Sequence, residues 1–362
     1  MKKRIPLIAF VLTLVMLMSA CAMPGVTTNF QEGNEYNADM ENVNNATESN
    51  GRIWPWEDPS ITLPEFTGTV AEPGTVTSLK ILVMGDQSAK DAWEFFPQIA
   101  KEAGIDIKIS ILCMNVNKSN QASIYAHRWQ TYKYTHYQNT GDGWKVLSES
   151  TTRDSVLKLE SWQYFVINQS IWDSGKASTI NEGDNTFLAE VLRTVKNDIP
   201  GKNEKCLWMQ TWAYEENSRN NLFNGFKDYN NNQTQMYEAI CSAIQSCVVN
   251  EYQFKQKKGD PKIPTNALED SVIPVGTAVQ NMREAYWSDG LTRDGEYLSN
   301  TGKVLAALML FKSLTAYDIN DLELSDSVFD HARPHLGVIK ESVNNAYLTP
   351  YAVTPSVYHT AD

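Results

Sequence analysis

The sequence predicts an α/β domain built on a parallel sheet of about five strands, with a β-hairpin inserted into it. Three observations predict it. Short apolar runs rich in β-branched residues recur along the chain, and amphipathic stretches of helical length separate them. One aromatic segment also straddles a glycine-rich turn, the mark of a hairpin.

LKILVM, residues 79–84, is the first strand. KDAWEFFPQIAKEAG, residues 90–104, has a helical period and stops at Gly104, where glycine suits a helix C-terminus. IDIKISIL, residues 105–112, is the second strand. YKYTHYQNTGDGWKVLSES, residues 132–150, breaks the alternation with β-forming residues on both sides of Asn139–Gly143. It is expected to form a two-stranded flap after the second strand. YFVIN (164–168), KCLWMQ (205–210) and SVIP (271–274) are the later strands. NTFLAEVLRTVKN (185–197) and QTQMYEAICSAIQSCVVN (233–250) are helices between them. Strands alternating with helices imply βαβ units and right-handed crossovers.

The N-terminus reads as an address. Lys2, Lys3 and Arg4 precede an apolar stretch, Ile5 to Met18, too short to span a bilayer comfortably, and Ser19-Ala20-Cys21 follows. This resembles a bacterial lipoprotein signal (1–21), with Cys21 the lipidated residue and Met18 where leucine is usual. The expected location is extracytoplasmic, with a lipid anchor in a bacterial membrane. Residues 22–77 contain NADMENVNNATESNGR, which buries little apolar surface and reads as a flexible tether. IWPWEDPSITLPEF (53–66) carries Trp54, Trp56 and Phe66, and reads as an arm packing on the domain at 78–362.

A formal net charge of −12 excludes a basic nucleic-acid surface, so no nucleic-acid partner is expected. Beyond Cys21, Cys113 and Cys206 fall in strands, while Cys241 and Cys247 lie six apart on a helix. None has metal-ligand spacing, and no disulfide framework is evident. His331 and His335 are four apart, but Pro334 lies between them and no third ligand suggests itself. Neither a metal nor a cofactor is expected.

In an open parallel sheet, ligands bind outside the carboxyl ends of the strands. Four segments can reach that rim: Gly85-Asp86-Gln87-Ser88, the run Cys113–Asn117, Asn168-Gln169-Ser170, and the run Thr292–Ser299. With INQS, MQTWAYEENS, IPVGTAVQNMREAYWSDGLTRDGEYLS and VIKESVNNAYLTPYAVT, these blocks stand in the order found in the SGNH (GDSL-type) hydrolase superfamily. They resemble in particular a bacterial branch of it, catalogued as a domain of unknown function, from about Lys80 to Thr354. The resemblance implies a flavodoxin-like three-layer α/β/α sandwich and an ester hydrolase scaffold.

It also implies a nucleophilic serine directly after Gly-Asp or Gly-Asn, an acid and histidine in Asp-Gly-x-His, a glycine oxyanion donor and an amide. Here Gln87 holds the nucleophile position and Tyr297 the histidine position. Asp294 is kept; the glycine falls near Asn115 or Val116; Asn168 and Gln169 hold the amide position. The five histidines, His127, His136, His331, His335 and His359, all lie outside that block.

Acyl transfer needs a deprotonatable hydroxyl, a base titrating near neutrality and oxyanion donors. Glutamine is no nucleophile, and a tyrosine of ordinary pKa near 10 takes no proton at neutral pH. Ser88 can replace Gln87 at the apex only by turning the following helix about 100°. Its simpler reading is an N-cap for a helix from Ala89. Asp294 has a structural reading as part of a polar turn, with Ser299 capping the last helix. Trp172 and Trp287 flank the blocks and complete the expected ligand cleft of Gly85, Asp86, Ser88, Asn115, Asn168 and Gln169.

The expected function is thus that of an extracytoplasmic lipoprotein, a pseudoenzyme whose esterase-like scaffold binds a glycan or an acylated small molecule. The alternative is an active esterase or acetylesterase on acylated carbohydrate, using Ser88. A third reading is a structural surface module with no ligand.

Overall fold

The structure, a computed structural model, describes residues 60–61, 63–114, 124–181, 187–201, 203–216, 218, 225–250, 272–285 and 289–359. Cys21, most of the tether, Trp54, Trp56, Asn115, Val116 and Trp287 lie outside the described residues.

Strands β1 (Ser78–Gly85), β2 (Asp106–Met114), β3 (Tyr134–Asn139), β4 (Lys145–Thr151), β5 (Tyr164–Ile167), β6 (Lys205–Met209) and β7 (Val272–Ile273) form one sheet in the order β4-β3-β2-β1-β5-β6-β7. β2, β1, β5, β6 and β7 run parallel, while β3 and β4 add on antiparallel beside β2. Counted along the chain, the parallel strands stand second, first, third, fourth, fifth, which is the flavodoxin-like order. Sheet and flanking helices form the expected α/β/α architecture, and the hairpin sits on the edge after the second parallel strand. β1 is buried at Leu79 and from Ile81 to Gly85, as a central parallel strand covered on both faces must be, with Lys80 partly exposed near its start. Two register shifts between β3 and β4 bulge the exposed edge strand, a device that discourages pairing with another chain.

The helix expected over 90–104 is two helices, α1 (Gln87–Trp93) and α2 (Phe96–Glu102). Pro97 causes the break: it lacks an amide proton, its ring clashes with the carbonyl four residues back, and it occupies the first turn of α2. Ala103 caps α2, and Gly104 follows with φ +70°, as the glycine suggested. Next come α3 (Phe187–Asp198), α4 (Gln233–Ile244), α5 (Val275–Ala285), α6 (Asn300–Thr315) and α7 (Leu336–Leu348). α6 packs against α1, α2, α5 and α7. It is buried almost all round, so its sequence shows no polar face. Ser299 is its N-cap, accepting from the Gly302 amide at 3.3 Å.

The arm does pack on the domain. Phe66 lies over the Lys312 ammonium at 3.5 Å from its ring centroid, and the Ala71 amide donates to Ala316 O at 2.8 Å. Among the described residues, no helix is long and apolar enough to cross a membrane.

Candidate functional site

β1 ends at Gly85, and the chain turns at once into α1. Gly85 is required there by close approach: a Cβ would stand 2.2 Å from Asn168 Oδ1 and 2.8 Å from Ala89 Cβ. Asp86, not Ser88, caps α1, and the helix starts at Gln87, two residues earlier than expected. The reason is in Asp86's partners. Its Oδ1 accepts from the Ser88 amide at 2.9 Å and the Ser88 hydroxyl at 2.5 Å. Its Oδ2 accepts from Ser170 Oγ at 2.8 Å and the Ile171 amide at 3.2 Å. Four donors on one buried carboxylate fix the turn and tie β1 to the loop after β5.

Ser88 is therefore enclosed. It is 0% exposed, donates its hydroxyl to Asp86, and accepts from Asn168 Nδ2 at 3.1 Å. Gln87, at the expected nucleophile position, is partly exposed and donates its amide to Asp91 Oδ1 at 2.9 Å. Asn168 holds Ser88 and also donates to Gln169 O at 2.7 Å. Gln169 faces the loop instead of the cleft: its amide donates to Lys176 O at 2.9 Å and Thr179 Oγ1 at 2.6 Å, and its oxygen accepts from the Gly175 amide.

The late block folds back onto this turn. Arg293 Nη1 reaches Asp91 Oδ2 at 2.6 Å and Leu298 O at 2.7 Å, bridging 202 residues of sequence. Asp294 Oδ1 accepts from the Glu296 amide at 3.0 Å and the Tyr297 amide at 2.7 Å, which is the structural turn role. Gly295 takes φ +87°, where a Cβ would lie 2.4 Å from Ser218 Oγ. The Tyr297 ring lies 5.1 Å from the Arg293 guanidinium. Burial first, then the carboxylates of Asp86, Glu296, Asp91 and Asp294, push its phenol further above its ordinary value. It is a weaker acid here than in water, and no base.

The histidines serve other places. His127 pairs with Tyr134 and His136 with Ser110; His331 packs in a tilted ring contact with Phe95, and His359 meets Glu284 O. Among the described residues, no cluster of three His, Cys, Asp or Glu is arranged to hold a metal.

Gly85, Asp86, Ser88, Asn168, Gln169, Trp172, Asp294 and Tyr297 thus gather at the carboxyl rim. Gln169 and Asp294 are engaged in its frame, and Asn115 and Trp287 fall outside the described residues. Two groups went unassigned from sequence. Glu296 is 1% exposed and accepts from Trp172 Nε1 at 3.0 Å. Burial chiefly, then Asp294, raises its carboxyl to about 7. Asp173, in the turn capped by Ser170, rises to about 6, chiefly through burial. Glu296 stands inside the conspicuous Asp-Gly-Glu-Tyr block, but nothing local signals its burial.

A family model, Domain of unknown function (DUF4886), matches residues 80–325. The fold is also similar to the crystal structure of a DUF4886 family protein from Bacteroides uniformis ATCC 8492, with 26% identity and a TM-score of 0.61. That match covers 76% of this chain and 97% of the other. No curated protein matches the chain.

Proposed function

Given that the chain belongs to the DUF4886 family, we propose that its domain is an SGNH-type hydrolase scaffold that binds a ligand at its carboxyl rim without turning it over. One observation carries this reading: Ser88, the serine next to the apex in sequence, is fully buried and committed to Asp86 and Asn168. The position that would carry the nucleophile holds Gln87, and the position of the base holds a tyrosine with a raised pKa. Loss of either partner in a serine hydrolase costs roughly a millionfold in kcat.

Ligand binding finds support in the half-buried Trp172 and in the partly exposed Gln87 and Tyr297. The ligand class we propose is a glycan or an acylated small molecule of the cell envelope, by analogy with the superfamily. We further propose a lipid anchor at Cys21; Cys21→Ser then leaves unprocessed or released protein, measured by membrane fractionation.

A restoration series tests the site. Gln87→Ser supplies a hydroxyl without a base, and Tyr297→His a base without a nucleophile, so each single variant stays at background on p-nitrophenyl acetate. The double variant, with Asp294 beside the new imidazole, gains measurable hydrolysis. A gain from Gln87→Ser alone would show that another group already acts as base, contradicting the proposal.

A further inference from the structure

A second recess lies at the opposite, amino rim of the sheet. Three stretches border it as they lead into β1, β5 and β6: Thr75–Leu79, Ser161–Tyr164, and 200–205. Its volume is about 630 Å³, within the range of small-ligand sites. The rim is held by the backbone: the Gln163 amide donates to Lys80 O and the Lys205 amide to Gln163 O, both at 2.9 Å. The Gln163 side-chain oxygen accepts from the Lys80 amide at 2.8 Å, which leaves its NH2 group as a donor.

The chemistry of the lining is one-sided. In a chain of net charge −12, Lys205 is the one charged residue among the described residues that line the recess. It is exposed and forms no ion pair with the described chain. Of the neighbouring carboxylates, Glu160 pairs with Lys80 and Lys108 at 3.0 Å each, and Glu204 is buried with the Lys196 ammonium 3.3 Å away. Trp162 is buried in the wall, its indole N–H closed off from solvent. Tyr164 adds an aromatic face, and Ser161 and Asn203 add a hydroxyl and an amide. A donor-rich wall, one cation, two aromatic side chains and no carboxylate together fit a ligand that brings acceptors, a negative charge and a ring.

We infer that the amino-rim recess is a second binding site, separate from the carboxyl-rim cleft, for a small sugar acid whose carboxylate meets Lys205 and whose hydroxyls meet Ser161, Gln163 and Asn203. Calorimetric titration of the purified chain with D-glucuronate, and with D-glucose as its uncharged counterpart, tests it. Glucuronate binds saturably, and glucose about ten-fold more weakly, the worth of one charge-assisted hydrogen bond. Lys205→Ala, an exposed change that leaves the thermal transition in place, lowers glucuronate affinity about ten-fold to the glucose level. Asn203→Ala removes an exposed amide of the lining and weakens both sugars. Lack of saturable glucuronate binding, equal affinity for glucose, or full affinity in Lys205→Ala overturns the inference. Because Lys205 lies at the rim opposite Gln87 and Tyr297, failure here leaves the carboxyl-rim reading untouched.

Discussion

Asp86 decides the chemistry of the carboxyl rim by what it holds. Its two oxygens take four donors, two from Ser88 and two from the loop after β5, and in doing so occupy the hydroxyls of both Ser88 and Ser170. Glu296 is the other buried carboxyl of consequence. Its raised pKa means that the folded state holds its proton where the unfolded chain has released it, between the ordinary 4.5 and about 7. The native state therefore binds more protons in that window, and stability falls as pH rises through it. Asp173, raised to about 6, contributes in the same direction. Glu296→Gln keeps an acceptor for Trp172 Nε1 and removes one titration. Thermal melts across this window are expected to show a shallower decline for the variant, with a higher Tm at neutral pH. Parallel curves for the two proteins would refute the assignment. At this scale the sequence was partly legible. Gly85-Asp86 announced the turn, but Asp86 and Ser88 are both good capping residues. The choice between them depends on Ser170 and Ile171, over 80 residues away, which local sequence does not show.

Among the elements, the late loop and α1 are coupled by one ion pair. Arg293 is a third exposed and Asp91 is 2% exposed, so removing the arginine leaves a carboxylate buried without its partner. Desolvation already raises the Asp91 pKa and Arg293 opposes that shift. Arg293→Ala is expected to cost about 2–3 kcal/mol in denaturant titration. Adding Asp91→Asn to that variant should recover part of the loss, since the neutral amide needs no counter-ion; a further loss would contradict this picture. Elements with strong local signals were legible: the five parallel strands, the hairpin around its glycines, Gly104 ending α2 and Ser299 capping α6. The split at Pro97 was legible in principle, because the proline stands inside the helical pattern, but amphipathic spacing on both sides masked it. The Arg293–Asp91 pair was not, since both residues were visible only as members of separate blocks.

For the whole molecule, strand order places the site. A second-first-third-fourth-fifth parallel sheet brings the turns after β1 and β5 side by side at the carboxyl rim, and the late block closes over them. The arm and the stretch after it dock elsewhere, with Phe66 on Lys312 in the last turn of α6 and Ala71 on its C-cap Ala316, at the end distant from Ser299. Alternation of strands and helices foretold this architecture, because burial on both faces leaves each parallel strand a continuous apolar run. The state of the chemistry needed the third dimension: that Ser88 is enclosed follows from packing between β1, α1 and the loop after β5. The most direct measurement is hydrolysis of p-nitrophenyl acetate by the purified chain beside its Ser88→Ala variant, with Tm recorded for both. The enclosed hydroxyl predicts background turnover from each, while Ser88→Ala lowers Tm through the lost Asp86 contact. Efficient turnover by the unmodified chain, abolished in Ser88→Ala, would mean that Ser88 is a working nucleophile and that the scaffold is an active esterase.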